Sequence, residues 1–210
     1  MEQEGVIKYQ LAFQHRKLPK RFVLPEHFNR CRTRLREAGL LGQDAARYGG
    51  LGFGNISFRS QEQPTHFVIS GTQTGGIEVL SERQLSCVTD FDACHNCLSA
   101  YGETAPSSEA MTHGVLYGLN SAIQAVIHVH SPDIWHRCDV LQLASTSANI
   151  TYGTPEMSKA VSVLGQRLQT FGLPLLLVMK GHQDGVVAAG ESLESCTDAL
   201  LNLKLRAEHE

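Results

Sequence analysis

Long hydrophobic runs are missing from this chain of 210 residues. No stretch approaches the ~20 consecutive apolar residues that a membrane-spanning helix needs. The opening MEQEGVIKYQ is acidic and polar and has no signal-peptide core. A surplus of positive charge is missing too: 18 Lys and Arg stand against 21 Asp and Glu, for a net charge of −3. The single basic cluster, Arg30 to Arg36 (RCRTRLR), is expected to decorate the solvated side of a helix rather than to bind nucleic acid. The 6 cysteines, at 31, 87, 94, 97, 138 and 196, have no disulfide-framework spacing. Cys94-His95-Asn96-Cys97 is a CxxC, yet no second CxxC or HxxxH follows it and no strand is expected before it. Free thiols in a loop or helix start are expected there. These absences set aside membrane, nucleic-acid and disulfide-stapled readings. They leave a soluble, intracellular protein, cytoplasmic by address, and 42% hydrophobic residues suffice for one substantial core.

What is present alternates between helical and extended patterns. Leu24 to Gly39 has the apolar spacing of an amphipathic helix, with Pro25 near its start and Gly39 as its stop. The glycines of GGLGFGNISFR, around Asn55, make poor helix and suggest backbone passing close to something. NISFR and THFVISG alternate like an antiparallel hairpin. A Gly/Thr loop, GTQTGGIEV, precedes a helix-capping signal at Ser81-Glu82. Ser107 or Ser108 can cap the next helix, with Glu109 in its first turn. AVIHVH is a strand, Thr154-Pro155-Glu156 opens a helix to about Thr170, LPLLLVMKG and GVVAAG form a hairpin, and Ser192 begins the last helix. The expected result is one α/β domain with a central, mostly antiparallel sheet and helices on its faces.

The chemistry concentrates in a few of these elements. His128 and His130 lie two apart in a strand, so both imidazoles point to one face. An apolar strand gains nothing from two rings that cost free energy to bury without partners. His182 follows another apolar run, at the start of a Gly-rich turn. Three imidazoles with a position left open are the ligand count of a catalytic divalent metal site, most often zinc. Gly54-Asn55-Ile56-Ser57 offers backbone N–H groups and an amide; Ser107 and Ser108 offer hydroxyls at a helix N-terminus, where an anion is favoured. Gly71 to Gly76 closes a third side. Neutral donors need no lysine, so the absence of a GxxxxGK[ST] pattern does not count against a phosphate or carboxylate. Glu109 would sit beside that anion, able to ligate a metal or move a proton. His113, four residues on, shares its helical face and is expected to support or pack. His136 is expected in a loop or helix start, and His15, His27, His66 and His209 at the surface.

The ordered set GNIS, an SGT/TG loop, SSE, HVH and a late GH before a Gly-rich hairpin resembles the class II aldolase/adducin family. That family includes fuculose- and rhamnulose-phosphate aldolases, ribulose-phosphate 4-epimerase and methylthioribulose-phosphate dehydratase. The likeness spans residues 25–210 and leaves residues 1–24 as an N-terminal extension. It implies an α/β/α sandwich and a cyclic homotetramer with the site near a subunit boundary. It implies Zn²⁺, or another divalent ion, held by His128, His130 and His182. It also implies substrate phosphate near Gly54, Asn55, Ser107 and Ser108, with Glu109 transferring the proton and contacting the resting metal. Either Gly71-Thr72 or Thr74-Gly75 matches the family's phosphate-binding Thr-Gly pair. Two departures stand out: the stretch from His130 to Tyr152 is short, leaving Tyr152 as substitute for the substrate-facing tyrosine, and the third histidine reads GHQDG. Glu109, where the epimerases carry Asp, favours aldolase or dehydratase chemistry. The expectation is a zinc-dependent lyase acting on a small phosphorylated or carboxylated hydroxy-carbonyl compound through a metal-stabilised enediolate. A dehydratase or epimerase, or a non-catalytic adducin-like interaction domain, is the alternative.

Overall fold

Residues 5–209 are described by the computed structural model. The alternating segments at 55–59 and 67–70 pair as expected: β4 (Asn55–Arg59) runs antiparallel to β5 (Phe67–Ser70), with Ser57 opposite Ile69. They belong to a nine-stranded sheet that also holds β1 (Gln10–His15), β6 (Leu85–Asp92), β7 (Cys97–Gly102), β8 (Ala125–His130), β9 (Ala144–Ser145), β10 (Leu175–Val178) and β11 (Gly185–Gly190). The order is β1-β7-β6-β5-β4-β8-β11-β10-β9. Only the outermost pairs, β1 with β7 and β9 with β10, are parallel. The strands β2 (Gly42–Gln43) and β3 (Gly52–Phe53) form a separate two-stranded ribbon.

Helices cover both faces. Ile127 and Val129 of β8 pack with Phe28 and Leu35 of α1 (Phe28–Glu37), Ile134 of α3 (Pro132–His136) and Leu200 of α5 (Leu193–His209). Val126, one residue out of phase, packs on the other face with Met111 and Leu116 of α2 (Ala110–Leu119) and Val161 of α4 (Pro155–Leu168). The two-residue period of β8 therefore assigns His128 and His130 to the α2 side. This is an α/β/α sandwich with a mostly antiparallel sheet. No helix among the described residues is long and apolar enough to cross a membrane.

The structure corrects two sequence expectations. Ser81 does cap, accepting the Arg83 N–H on its hydroxyl while Gln84 returns a bond to the Ser81 N–H, but the helix is one turn, Glu82–Gln84. Its chain continues into β6 and β7, so a strand does precede the CxxC. Residues 93–96 form the turn of that hairpin, where Asp92 Oδ1 accepts the N–H groups of Cys94 and His95; Cys97 opens β7, and both thiols are free. Second, the basic cluster of α1 is not wholly solvated. Arg32 is 1% exposed and donates to the backbone oxygens of Thr74, Gly75 and Glu78. Arg36 donates to those of Gly75 and Ile77, so α1 clamps the 74–78 loop. Beyond these expectations, Gln10–His15 forms an edge strand in which Leu11 and Phe13 are half-buried and the other four residues exposed.

Candidate metal centre

Two pieces of backbone bring the histidines together. In β8, His128 faces Asn55 of β4 on one side and Val187 of β11 on the other, and His130 faces Gly185. His182 lies on the turn between β10 and β11, where its N–H donates to Met179 O and its carbonyl accepts the Gly185 N–H. Asp184 closes that turn in the left-handed region, φ 61°, as a short polar residue tolerates. The turn folds the third ring back over β8. Ring centroids are 4.9 Å apart for His128 and His130, 4.9 Å for His128 and His182, and 4.8 Å for His130 and His182.

The donor geometry suits one ion. His128 Nε2 and His130 Nε2 lie 3.1 Å apart, and one nitrogen from each of the three rings lies within 4.8 Å of the others. Two nitrogens on a tetrahedral zinc at about 2.0–2.1 Å stand roughly 3.4 Å apart. All three side chains are at most 2% exposed. Burial, with His182 and His113 nearby, holds the His128 imidazole well below the usual histidine range. Burial, with His182, His128 and Arg47, does the same to His130. A depressed pKa keeps these rings neutral, the form that ligates metal.

Glu109 immediately precedes the first residue of α2 and is 1% exposed. Its Oε2 accepts the Thr112 hydroxyl at 2.8 Å, and its Oε1 stands 3.6 Å from His182 Nδ1. The expected serine cap is partial: Ser107 Oγ accepts the Glu109 N–H at 3.3 Å. Gly54, Asn55, Gly71, Thr72, Thr74, Ser107 and Ser108 line one small polar recess beside this helix start. Both candidate Thr-Gly pairs border it. Gly54 is in the left-handed region, φ +75°, and a Cβ there would come within 3.1 Å of His128 O. Asn55 Oδ1 is buried without a hydrogen-bond partner among the described residues, an amide poised for a ligand. Fewer backbone donors are available than GNIS suggests: the Ile56 N–H goes to Ser70 Oγ, and those of Gly71, Thr72 and Ser107 go to Gln84, Ala105 and Ser70 carbonyls.

His113 stays out of the cluster. Its Nδ1 is 2.7 Å from Ser57 Oγ, which also meets the Tyr117 hydroxyl at 2.8 Å. None of His15, His27, His66, His136 and His209 is buried. Tyr152 is 3% exposed and stacks on His182 with centroids 4.4 Å apart and 18° between planes.

Several site neighbours were not anticipated. Lys8 Nζ sits 3.7 Å above the Tyr152 ring and donates to Tyr152 O. The Tyr9 hydroxyl donates to Ser107 O at 2.8 Å, and burial together with the nearby Glu109 pushes its pKa far up. Tyr48 packs edge-on against His130 at 4.8 Å and donates its hydroxyl to Asp184 Oδ2 at 2.6 Å. Tyr48, Tyr152 and His182 line a cleft of about 950 Å³. The aromatic and cationic residues before Gly54 had no motif to mark them. Only the contact across 136 residues between Tyr48 and Asp184 reveals that role.

A mostly antiparallel α/β/α sheet, three clustered imidazoles and a carboxylate at a helix start define the class to which class II aldolases belong. The sequence profile of the Class II Aldolase and Adducin N-terminal domain family matches residues 42–209, and the chain belongs to that family. No curated protein matches this sequence. Solved structures with a similar fold include YgbL from Escherichia coli, described as a putative aldolase/epimerase/decarboxylase. It has 18% identity and TM-score 0.63, over 87% of this chain and 86% of that one. L-fuculose-1-phosphate aldolase from Thermus thermophilus has 16% identity and TM-score 0.61, over 86% and 89%. A sugar-phosphate aldolase from Thermotoga maritima has 16% identity and TM-score 0.62, over 87% and 90%.

Proposed function

We propose that this protein is a metal-dependent carbon–carbon lyase of aldolase type, acting on a small phosphorylated or carboxylated hydroxy-carbonyl compound. The observation that carries the reading is the meeting of His128, His130 and His182, with Glu109 Oε1 3.6 Å from His182 Nδ1. A scaffold that only binds other proteins has no use for three buried neutral imidazoles beside a buried carboxylate. His128, His130 and His182 would hold the ion, zinc in the first instance. When bound, a divalent ion there supplies a Lewis acid for substrate oxygens as negative charge develops on them.

The chain's own groups do the rest. Gly54, Asn55, Ser107 and Ser108 hold the anionic group of the substrate, with Thr72 or Thr74 completing the recess. Glu109, its Oε2 anchored by Thr112, takes and returns the proton through Oε1. Tyr152 fixes the His182 ring by stacking on it and faces the cleft that admits substrate. The recess and the cleft both adjoin the histidine cluster, which favours an elongated substrate lying across it. The reading extends to a cytoplasmic homotetramer with residues 25–210 as the catalytic domain and residues 1–24 as an extension to it.

The test is metal content with a substrate screen. Purified protein should hold about one divalent ion per chain, and H128A/H130A should hold none; a double variant retaining full zinc would end this proposal. Product analysis on a panel of sugar phosphates then separates carbon–carbon cleavage from loss of water or epimerisation.

A further inference from the structure

The cleft beside His182 holds two cations that the proposed chemistry leaves unused, Arg47 and Lys180. Both are half-buried. Neither has a carboxylate within the 4.0 Å of an ion pair among the described residues. Arg47 donates to Gly39 O at 2.9 Å, to the Tyr48 hydroxyl oxygen at 2.9 Å and to His130 O at 3.3 Å, and its guanidinium lies 4.3 Å from the centre of the Phe53 ring. Lys180 Nζ donates to Trp135 O at 2.7 Å and lies 4.5 Å from the centre of that ring. The acid of the same wall, Asp184, is 5% exposed and already accepts the Tyr48 hydroxyl.

Carbonyls and ring faces hold a cation in place without neutralising it. A charge partly withdrawn from water gains most from an anion that completes its hydrogen bonds. Arg47 presents a planar fork with five N–H donors, and Lys180 has three donors on its ammonium; both have donors to spare. Tyr48 and Phe53 fix the guanidinium, so little side-chain freedom is lost on binding. The recess of Gly54, Asn55, Ser107 and Ser108 is different in kind, because its donors are neutral. It meets the histidines through Asn55, opposite His128, whereas the cleft meets them through His182 and through Tyr48 on His130.

We propose that the cleft is a second anion subsite, in which Arg47 and Lys180 take a carboxylate at the end of the substrate remote from its phosphate. The substrate is thus a phosphorylated hydroxy-carbonyl acid rather than a sugar phosphate with a neutral tail. This rests on the lyase reading for the recess and the histidine cluster, and adds the chemistry of the other end.

Calorimetric titration with 3-phosphoglycerate and with glycerol 3-phosphate isolates the difference, since the two differ only by a carboxylate in place of a hydroxymethyl group. The protein is incubated with zinc beforehand, and its metal content is measured on the same samples. Wild type should bind 3-phosphoglycerate about tenfold more tightly, the scale of one charge-assisted contact. R47Q and K180M should each lose most of that preference while leaving glycerol 3-phosphate binding unchanged. K180M touches no histidine of the cluster, so it serves even if R47Q fails to fold. Equal binding of both compounds by wild type, binding of neither, or a preference that survives both substitutions overturns the subsite. A protein that shows the preference and loses it in K180M, yet holds no zinc, overturns the lyase reading and leaves the subsite standing.

Discussion

At the scale of single residues, the two oxygens of Glu109 have different surroundings. Thr112 holds Oε2, so Oε1 keeps its direction toward His182. E109Q preserves the shape and, in the proposed reaction, removes the base; turnover should then fall about 10²–10⁴-fold while bound metal, read by elemental analysis, stays near the wild-type level. His113 supports a different expectation. Burial lowers its pKa from the ordinary 6.5 to about 3. The unfolded chain therefore takes up a proton below pH 6.5 that the folded protein refuses until about pH 3. The stability it contributes is complete above pH 6.5 and drains away as the pH falls, by up to ~1.4 kcal/mol per pH unit. His128 and His130 add to the same trend in metal-free protein, since both are also depressed. Melting temperatures of metal-free protein from pH 7 to 4 should decline, and H113Q should flatten the decline.

At the scale of elements, α1 acts on the recess without entering it. Arg32 and Arg36 hold carbonyls of the 74–78 loop, and Thr74 and Gly75 of that loop line the recess. R32M leaves buried carbonyls without donors and should cost about 2–4 kcal/mol in urea unfolding, with weaker phosphate binding. Nothing in RCRTRLR announces this clamp, because an arginine's choice between water and a carbonyl depends on a loop more than 40 residues away. The histidine pair was legible for the opposite reason: a two-residue period in an apolar strand fixes where side chains point whatever packs above them. His182 was legible as the residue where an apolar strand gives way to glycine. The β6–β7 hairpin was missed because a genuine capping box at Ser81 encloses one helical turn before the chain extends. Edge strand β1, with four of its six residues exposed and none buried, left still less to read.

For the whole molecule, the proposed metal site would link folding to ion binding. The three imidazoles come together only when β8 and the β10–β11 turn are in place, so an ion that binds them adds its binding free energy to stability. At 100 times its dissociation constant, zinc should stabilise by about 2.7 kcal/mol and raise the melting temperature by roughly 5–10 °C. EDTA should reverse the gain, and H182A should abolish it; an identical melt with and without chelator would contradict the linkage. The family match begins at Gly42, yet Lys8 leans on the tyrosine that backs His182, and Tyr9 grips the carbonyl of Ser107. Ancestry and bracing thus have different borders: a protein trimmed to the inherited span would keep His128, His130 and His182 while forfeiting the bracing behind one of them and the tether on the serine turn.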